Sequence, residues 1–111
     1  MPYIPPKSRK ELDGVIDQLA QRLVQEAKGY GAEAAFAGLL NYACTRLALK
    51  TVRLQFGEMR YWLIAVLTGT FKNIADEFYR RLAVPYENRQ IAKNGDVDLY
   101  GEYVQEIEKT A

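Results

Sequence analysis

The stretch SRKELDGVIDQLAQRLVQEAKG, residues 8–29, decides the fold. Its strongest apolar positions recur at intervals of four, three and four residues, which is the period of one face of an α-helix. Charged and amide side chains occupy the other side of the same helix. A long amphipathic helix is therefore predicted. The positions that define its apolar face are Leu12, Ile16, Leu19 and Leu23.

Local signals predict where this first helix begins and ends. Ser8 and Glu11 have the spacing of a capping box, in which each side chain accepts a hydrogen bond from a backbone N–H at the helix start. Residues 1–7 contain three of the four prolines, so we expect them to form an extended arm. Gly29 and Gly31 are expected to end the helix.

The same period predicts two further helices. One covers residues 32–56 and the other covers residues 58–84, and Gly57 is expected to break or bend the chain between them. Pro85 should close or kink the third helix. The apolar face predicted for that helix contains Leu63, Leu67, Ile74, Phe78 and Leu82.

The region after Pro85 has two interpretations. A short helix over residues 86–93 would end at Asn94-Gly95, because both residues tolerate the left-handed conformation that ends helices. The same pair also suits a two-residue hairpin turn between short strands.

The acidic tail predicts a weak amphipathic helix through Leu99, Tyr103 and Ile107. The expected fold is all-α: one domain over residues 1–111, built as a small bundle of three principal helices. Residues 1–7 form its N-terminal arm and residues 97–111 its acidic C-terminal appendage.

Composition limits the functions that the chain can perform. Its 111 residues are 49% hydrophobic and 26% charged, which fits a globular domain, and the formal net charge of +1 gives no strong overall field. Histidine is absent, which excludes a Ser-His-Asp triad, a Cys-His dyad and zinc sites with imidazole ligands. A single cysteine and no apolar run of membrane-spanning length predict a cytoplasmic protein with no membrane association and no cofactor.

Arg46, Lys50 and Arg53, called here the basic stripe, follow each other at helical spacing on the second helix. Residues 35–56 contain no acidic residue, so nothing within the helix compensates the stripe. It could contact phosphates, but three charges are few and no recognition-helix motif accompanies them. Nucleic-acid binding is therefore the weaker hypothesis, and a solvated face, or one neutralised by the acidic tail of this chain or of a partner subunit, is favoured.

Acidic residues late in the chain provide the best candidate for metal or acid–base chemistry. Mg²⁺ prefers carboxylate oxygens, but neighbouring helix residues such as Asp76 and Glu77 diverge by about 100° and need an opposing ligand. Ion pairs with Arg80 and Arg81, four residues further on, are the simpler interpretation. The alternative acid or metal-binding set is Asp76, Glu77, Glu87 and Asp96.

The chain has eight tyrosines, and aromatic residues concentrate in and after the third helix. Large rings with a polar tip are enriched at protein interfaces. Self-association, most simply as a homodimer, or binding to a protein partner is therefore predicted. The candidate interface residues are Tyr61, Trp62, Tyr79 and Tyr86.

Several phrases of the sequence are similar to a family of small uncharacterised proteins of bacteria, archaea and tailed phages. These are Met1-Pro2-Tyr3-Ile4, Leu40-Asn41-Tyr42 with Thr45-Arg46-Leu47, Glu77-Phe78-Tyr79-Arg80-Arg81, Pro85-Tyr86-Glu87 and Asn94-Gly95-Asp96-Val97. The resemblance spans residues 1 to about 97 and implies a phage-related context without a known activity. The chain departs from the family pattern in a longer middle, around Thr51 to Tyr61, and in the tail beyond Val97.

The resembling phrases allow a structural and a functional interpretation. In the first, Phe78 and Leu82 pack inward and Asn94-Gly95 ends a helix. In the second, one polar pocket holds a ligand or the backbone of a partner. Its residues would be Asn41, Glu77, Arg81, Glu87 and Asp96.

The sequence thus predicts a phage-related or bacterial accessory protein that acts through protein–protein interaction. The first alternative is a small Mg²⁺-dependent enzyme that binds or hydrolyses nucleotides with helix carboxylates. The weaker alternative is nucleic-acid binding through the basic stripe.

Overall fold

A computed structural model describes residues 2–110, and this part of the chain contains helices, turns and loops but no strand. The all-α prediction is confirmed. The chain divides into two compact units, Met1–Phe71 and Lys72–Ala111. The helical elements in the described range are α1 (Pro6–Gly29), α2 (Ala35–Phe56), α3 (Tyr61–Phe78), a π-helical segment (Tyr79–Ala83), α4 (Val84–Asn94) and α5 (Asp98–Thr110).

Helix α1 begins earlier than predicted, and its start uses proline instead of a capping box. Pro5 occupies the N-cap without a side-chain hydrogen bond, and its carbonyl accepts from the backbone N–H groups of Ser8 and Arg9 at 3.0 and 3.2 Å. Proline suits the first helical position because the missing N–H would lack a helical partner there anyway. The predicted Ser8–Glu11 box and an extended arm reaching residue 7 are therefore wrong.

The α1–α2 hairpin forms the packed part of the first unit. Helix α1 ends at Gly29 as predicted, α2 begins three residues later than residue 32, and the two helices contact each other. Small and medium side chains on both helices are half-buried and allow this approach. They include Leu23, Ala27, Leu39 and Ala43.

Helix α2 ends where the sequence predicts, at a glycine in the left-handed region. Gly57 has φ +82°, and its N–H donates to the Arg53 carbonyl at 3.1 Å. The Arg53 guanidinium in turn donates to the Gly57 carbonyl at 2.7 Å, which fixes the turn from both sides. Phe56 and Trp62 meet edge to face across this turn, with ring centroids 5.3 Å apart.

Helical structure continues through the position where the sequence predicts an end or a kink. The Val84 N–H donates to the Tyr79 carbonyl, five residues back, so a π-helical turn precedes Pro85. The proline ring would collide with the carbonyl four residues earlier in a regular α-helix, and a wider turn gives it room. Pro85 then lies in the first turn of α4, where its lack of an N–H costs little.

The apolar face predicted for the third helix is covered only near its start. Leu63 is 3% exposed and Leu67 is half-buried, whereas Ile74 is 44% exposed. Phe78 and Leu82 are exposed, so the prediction that they pack inward is wrong. The helical period fixes which residues share a face, but it does not ensure that another element covers that face.

The Asn94-Gly95 ambiguity is resolved in favour of the helix end. Gly95 has φ +87°, and its N–H donates to the Ile91 carbonyl at 2.8 Å. The alternative of a hairpin turn is therefore wrong. The predicted tail helix is present as α5, and all of its described residues are exposed.

Candidate functional site

The described residues leave an unusual amount of apolar side chain in contact with solvent. Among residues 2–110, the buried hydrophobic side chains are Val52 and Leu63, both in the first unit. Leu19, Leu47 and Phe36 are exposed although each lies on an apolar helix face. Single exposed apolar residues are ordinary on a protein surface, but contiguous exposed faces mark interaction sites.

An apolar groove, here called the α1–α2 groove, runs between the first two helices and has a volume of about 540 Å³. Leucine and alanine side chains form half of its lining, and charged residues and Tyr42 form the rest. The Arg22 guanidinium at the rim pairs with Glu26 at 3.2 Å. The apolar lining includes Leu19, Leu23, Leu39, Ala43 and Leu47.

A second cavity of about 560 Å³ lies on the other side of the basic stripe, against the turn after α2. Its lining includes the buried Val52, together with Leu49 and Met59. Arg46 and Lys50 line both this cavity and the α1–α2 groove. The basic stripe is therefore a ridge between two concave surfaces and not an isolated solvated face.

The three cations of the stripe differ in their engagement. The Arg53 guanidinium donates to the Gly57 carbonyl and so belongs to the turn. Among residues 2–110, Arg46 and Lys50 make no ion pair and no side-chain hydrogen bond. Two positive charges at the edge of an apolar groove are thus available to an acidic partner.

The predicted acid set is distributed along several elements of the second unit. The Glu77 carboxylate pairs with the guanidinium of Arg80, three residues further on, at 2.6 Å. The sequence predicted a partner four residues further on, which would be Arg81. Asp96 accepts from the Val97 N–H at 2.7 Å, and Glu87 lies in the first turn of α4. Among residues 2–110, no group of three or more acidic or cysteine side chains is placed to hold one metal ion.

The five residues of the hypothetical polar pocket fall in different units. Asn41 lies in Met1–Phe71, whereas Glu77, Arg81, Glu87 and Asp96 lie in Lys72–Ala111. The Asn41 carbonyl accepts from the Thr45 hydroxyl at 2.7 Å within α2. The polar contacts of Asn41 and Asp96 are therefore local: one joins two residues of α2, and the other joins Asp96 to the next residue of the chain.

The candidate interface aromatics are all exposed. Tyr61 is 84% exposed, and Trp62, Tyr79 and Tyr86 each keep half or more of their surface in solvent. Tyr61 and Trp62 lie at the start of α3, whereas Tyr79 begins the π-helical segment and Tyr86 lies in α4. They therefore remain candidates for contacts with a partner, two in each unit.

The sequence interpretation missed the α1–α2 groove as a site. It placed Leu19 and Leu23 on the apolar face of the first helix. Only the packing of α1 against α2 shows that this face is left partly open. The signal that could have located it is the coincidence of apolar and basic positions on α2. Leu39, Ala43 and Leu47 lie next to the basic stripe on the same side of that helix.

No helix in the described part of the chain combines the length and the apolar character needed to cross a bilayer. A family model described as a domain of unknown function, DUF6899, matches residues 1–97. Comparison with curated proteins and with solved structures found no match. The matched region ends one residue before α5 begins. On this match, the chain belongs to the DUF6899 family, and α5 lies outside the region that the family model covers.

Proposed function

We propose that this protein acts through protein–protein interaction and that its working form is a homodimer. The observation that carries the proposal is the exposed apolar surface around the α1–α2 groove. Among the described residues, the buried hydrophobic side chains are Val52 and Leu63 alone. Burial of apolar surface is the main favourable term in association. A second copy is the simplest source of a matching surface, since most soluble oligomers are symmetric homo-oligomers.

The context proposed for this function is that of a cytoplasmic accessory protein, bacterial or phage-related. This part rests on the resemblance of the sequence phrases to proteins of bacteria, archaea and tailed phages, and on the single cysteine, which cannot form an internal disulfide and so needs no oxidising compartment. A further protein partner would use the exposed aromatics that the homodimer leaves uncovered.

The enzymatic alternative has less support. It needs Asp76 and Glu77 to converge with Glu87, Asp96 or a second subunit, and Glu77 is already paired with Arg80. Local ion pairing explains the geometry around Glu77 without a bound metal ion.

Sedimentation equilibrium of the full chain tests the proposal, at protein concentrations from about 1 to about 100 micromolar in roughly tenfold steps. We expect a mass near twice 12.7 kDa at the upper end. A mass of 12.7 kDa throughout would contradict it. Trp62→Ala serves as a probe within the same experiment: a weakened dimer would place Trp62 in the interface, and an unchanged one would remove it.

A further inference from the structure

We infer that α5 of one copy docks into the α1–α2 groove of a second copy, so that each subunit gives one helix and receives one. The inference rests on the proposed self-association and names the surfaces that carry it. It follows from three ways in which α5 and the groove match. Both are apolar, their unpaired charges are opposite, and their lengths agree.

The apolar match comes first. Four leucines and one alanine line the groove. Leu99, Tyr103 and Ile107 recur every four residues along α5 and are 52%, 57% and 67% exposed. A short helix of 13 residues gains little stability from its own hydrogen bonds. An apolar face on such a helix is most simply explained by a surface that covers it.

The charges are complementary and available on both sides. Asp98, Glu102 and Glu106 follow each other at four-residue spacing along one flank of the α5 apolar face. Among residues 2–110, Glu102 and Glu106 make no ion pair, and neither do Arg46 and Lys50 at the groove. Docking would bring two unpaired carboxylates to two unpaired cations.

The order of faces around each helix also fixes the direction of docking. Successive residues of a helix rotate about its axis by about 100° in one sense. Followed in that sense, the basic stripe comes before the apolar face on α2, and the acidic flank comes before the apolar face on α5. Two facing helices with this shared order bring their charged flanks to the same side only when they run antiparallel. The antiparallel register places Glu106 near Arg46 and Glu102 near Lys50.

The lengths agree. The part of α2 that lines the groove, Leu39 to Lys50, is about 16 Å long at 1.5 Å per residue. The 13 residues of α5 span about 20 Å. One α5 helix is therefore long enough to fill the groove, and a reciprocal exchange closes the pair around a two-fold axis without leaving an open end.

Charge reversal tests the inference. The groove variant combines Arg46→Glu with Lys50→Glu, and the tail variant combines Glu102→Lys with Glu106→Lys. Each variant alone should weaken the dimer at least roughly tenfold, since it loses its ion pairs and gains like-charge contacts. Circular dichroism on each variant checks that helicity is retained.

Mixing the two variants gives the decisive readout. The acidic tail of the groove variant matches the unchanged groove of the tail variant, and the lysine tail matches the reversed groove, so the mixture should regain dimer mass. Recovery on mixing requires contacts between copies. A mixture that stays monomeric while wild type is dimeric would overturn the inference, as would single variants that dimerise like wild type.

A single-residue comparison tests the antiparallel direction and provides a matched control. Glu108→Lys changes the net charge as much as Glu106→Lys does, but Glu108 lies about 200° further round α5, on the opposite flank of its apolar face. Glu106→Lys should raise the dissociation constant several-fold and Glu108→Lys should leave it nearly unchanged. The reverse result would overturn the antiparallel arrangement. A wild-type monomer at every concentration would instead defeat the proposed homodimer itself.

Discussion

Helices α2 and α5 are built alike and charged oppositely. Each has an exposed apolar face with a row of like charges on one flank. Residues 35–56 contain no acidic residue, whereas α5 carries Asp98, Glu102 and Glu106 on that flank, Glu108 on the other, and Lys109 as its one basic residue. Helix α2 belongs to the region that the family model covers and α5 lies beyond it. The contrast is the basis of the proposed docking, in which two helices with exposed faces form complementary halves of one interface.

The largest expected effect comes from the small core of the first unit. Leu63→Ala should lower the free energy of unfolding by about 2–5 kcal/mol, because Leu63 is 3% exposed and truncation leaves a cavity. Tyr61→Ala, on the same helix at 84% exposure, should change the stability of the fold by less than about 0.5 kcal/mol. Urea unfolding of both variants measures the difference. Equal losses would show that the buried position of Leu63 was assigned wrongly.

A leucine pair on α1 sharpens the comparison at the level of the interface. Leu19 lines the groove and Leu12 does not, although both lie on the same apolar face and are 42% and 50% exposed. Leu19→Ser should weaken the dimer roughly tenfold, because about 1–2 kcal/mol of apolar burial is lost on association. Leu12→Ser should have a smaller effect. Dilution in an analytical ultracentrifuge would reveal the opposite order if the groove were not occupied.

Much of the fold could be predicted from the period of the apolar residues, and the exceptions have local causes. Glycines with positive φ follow the ends of α1 and α2, at Gly31 and Gly57. Pro6 begins α1 because proline fits an unbonded first turn. Pro85 does not end the helix, since a π-helical turn accommodates its ring. Which apolar faces stay open depends on contacts between helices, and a helical period carries no information about them.

The candidate site could be predicted only in part. The basic stripe and the acidic tail follow from the sequence, as does the idea that one neutralises the other. The groove does not, because Leu19 on α1 and Leu47 on α2 line one cavity only after the hairpin folds. The hydrogen bond from the Arg53 guanidinium to the Gly57 carbonyl could not be predicted either, because it depends on the turn that follows α2.

The weaker alternative assigns Arg46 and Lys50 to nucleic acid, whereas the proposed docking assigns them to α5. We expect no measurable binding of duplex DNA near physiological salt, because Arg53 is engaged and two free cations release few counterions. Fluorescence anisotropy measures this directly. A sub-micromolar complex would contradict this expectation. If replacing Arg46, Lys50 and Arg53 together by alanine also reduced the slope of log binding constant against log salt concentration by roughly three units, the stripe would be a phosphate-binding site.

The smallest effect is expected from divalent metal ions. Because Glu77 is paired with Arg80, millimolar Mg²⁺ or Mn²⁺ should leave the melting temperature within about one degree of its value in metal-free buffer. Differential scanning fluorimetry of wild type and Glu77→Gln checks this. A metal-dependent rise that disappears in the variant would support the enzymatic alternative.

Hydrogen exchange along α5 tests the central claim most directly. A 13-residue helix that stands alone in solvent opens readily, so its amides should exchange almost as fast as in an unstructured peptide. If α5 docks into a second copy, its amides are protected when the protein is dimeric and lose that protection on dilution, while the half-buried side of the α1–α2 hairpin changes less. Fast exchange over residues 98–110 at every concentration, in a protein that remains dimeric, would contradict the account.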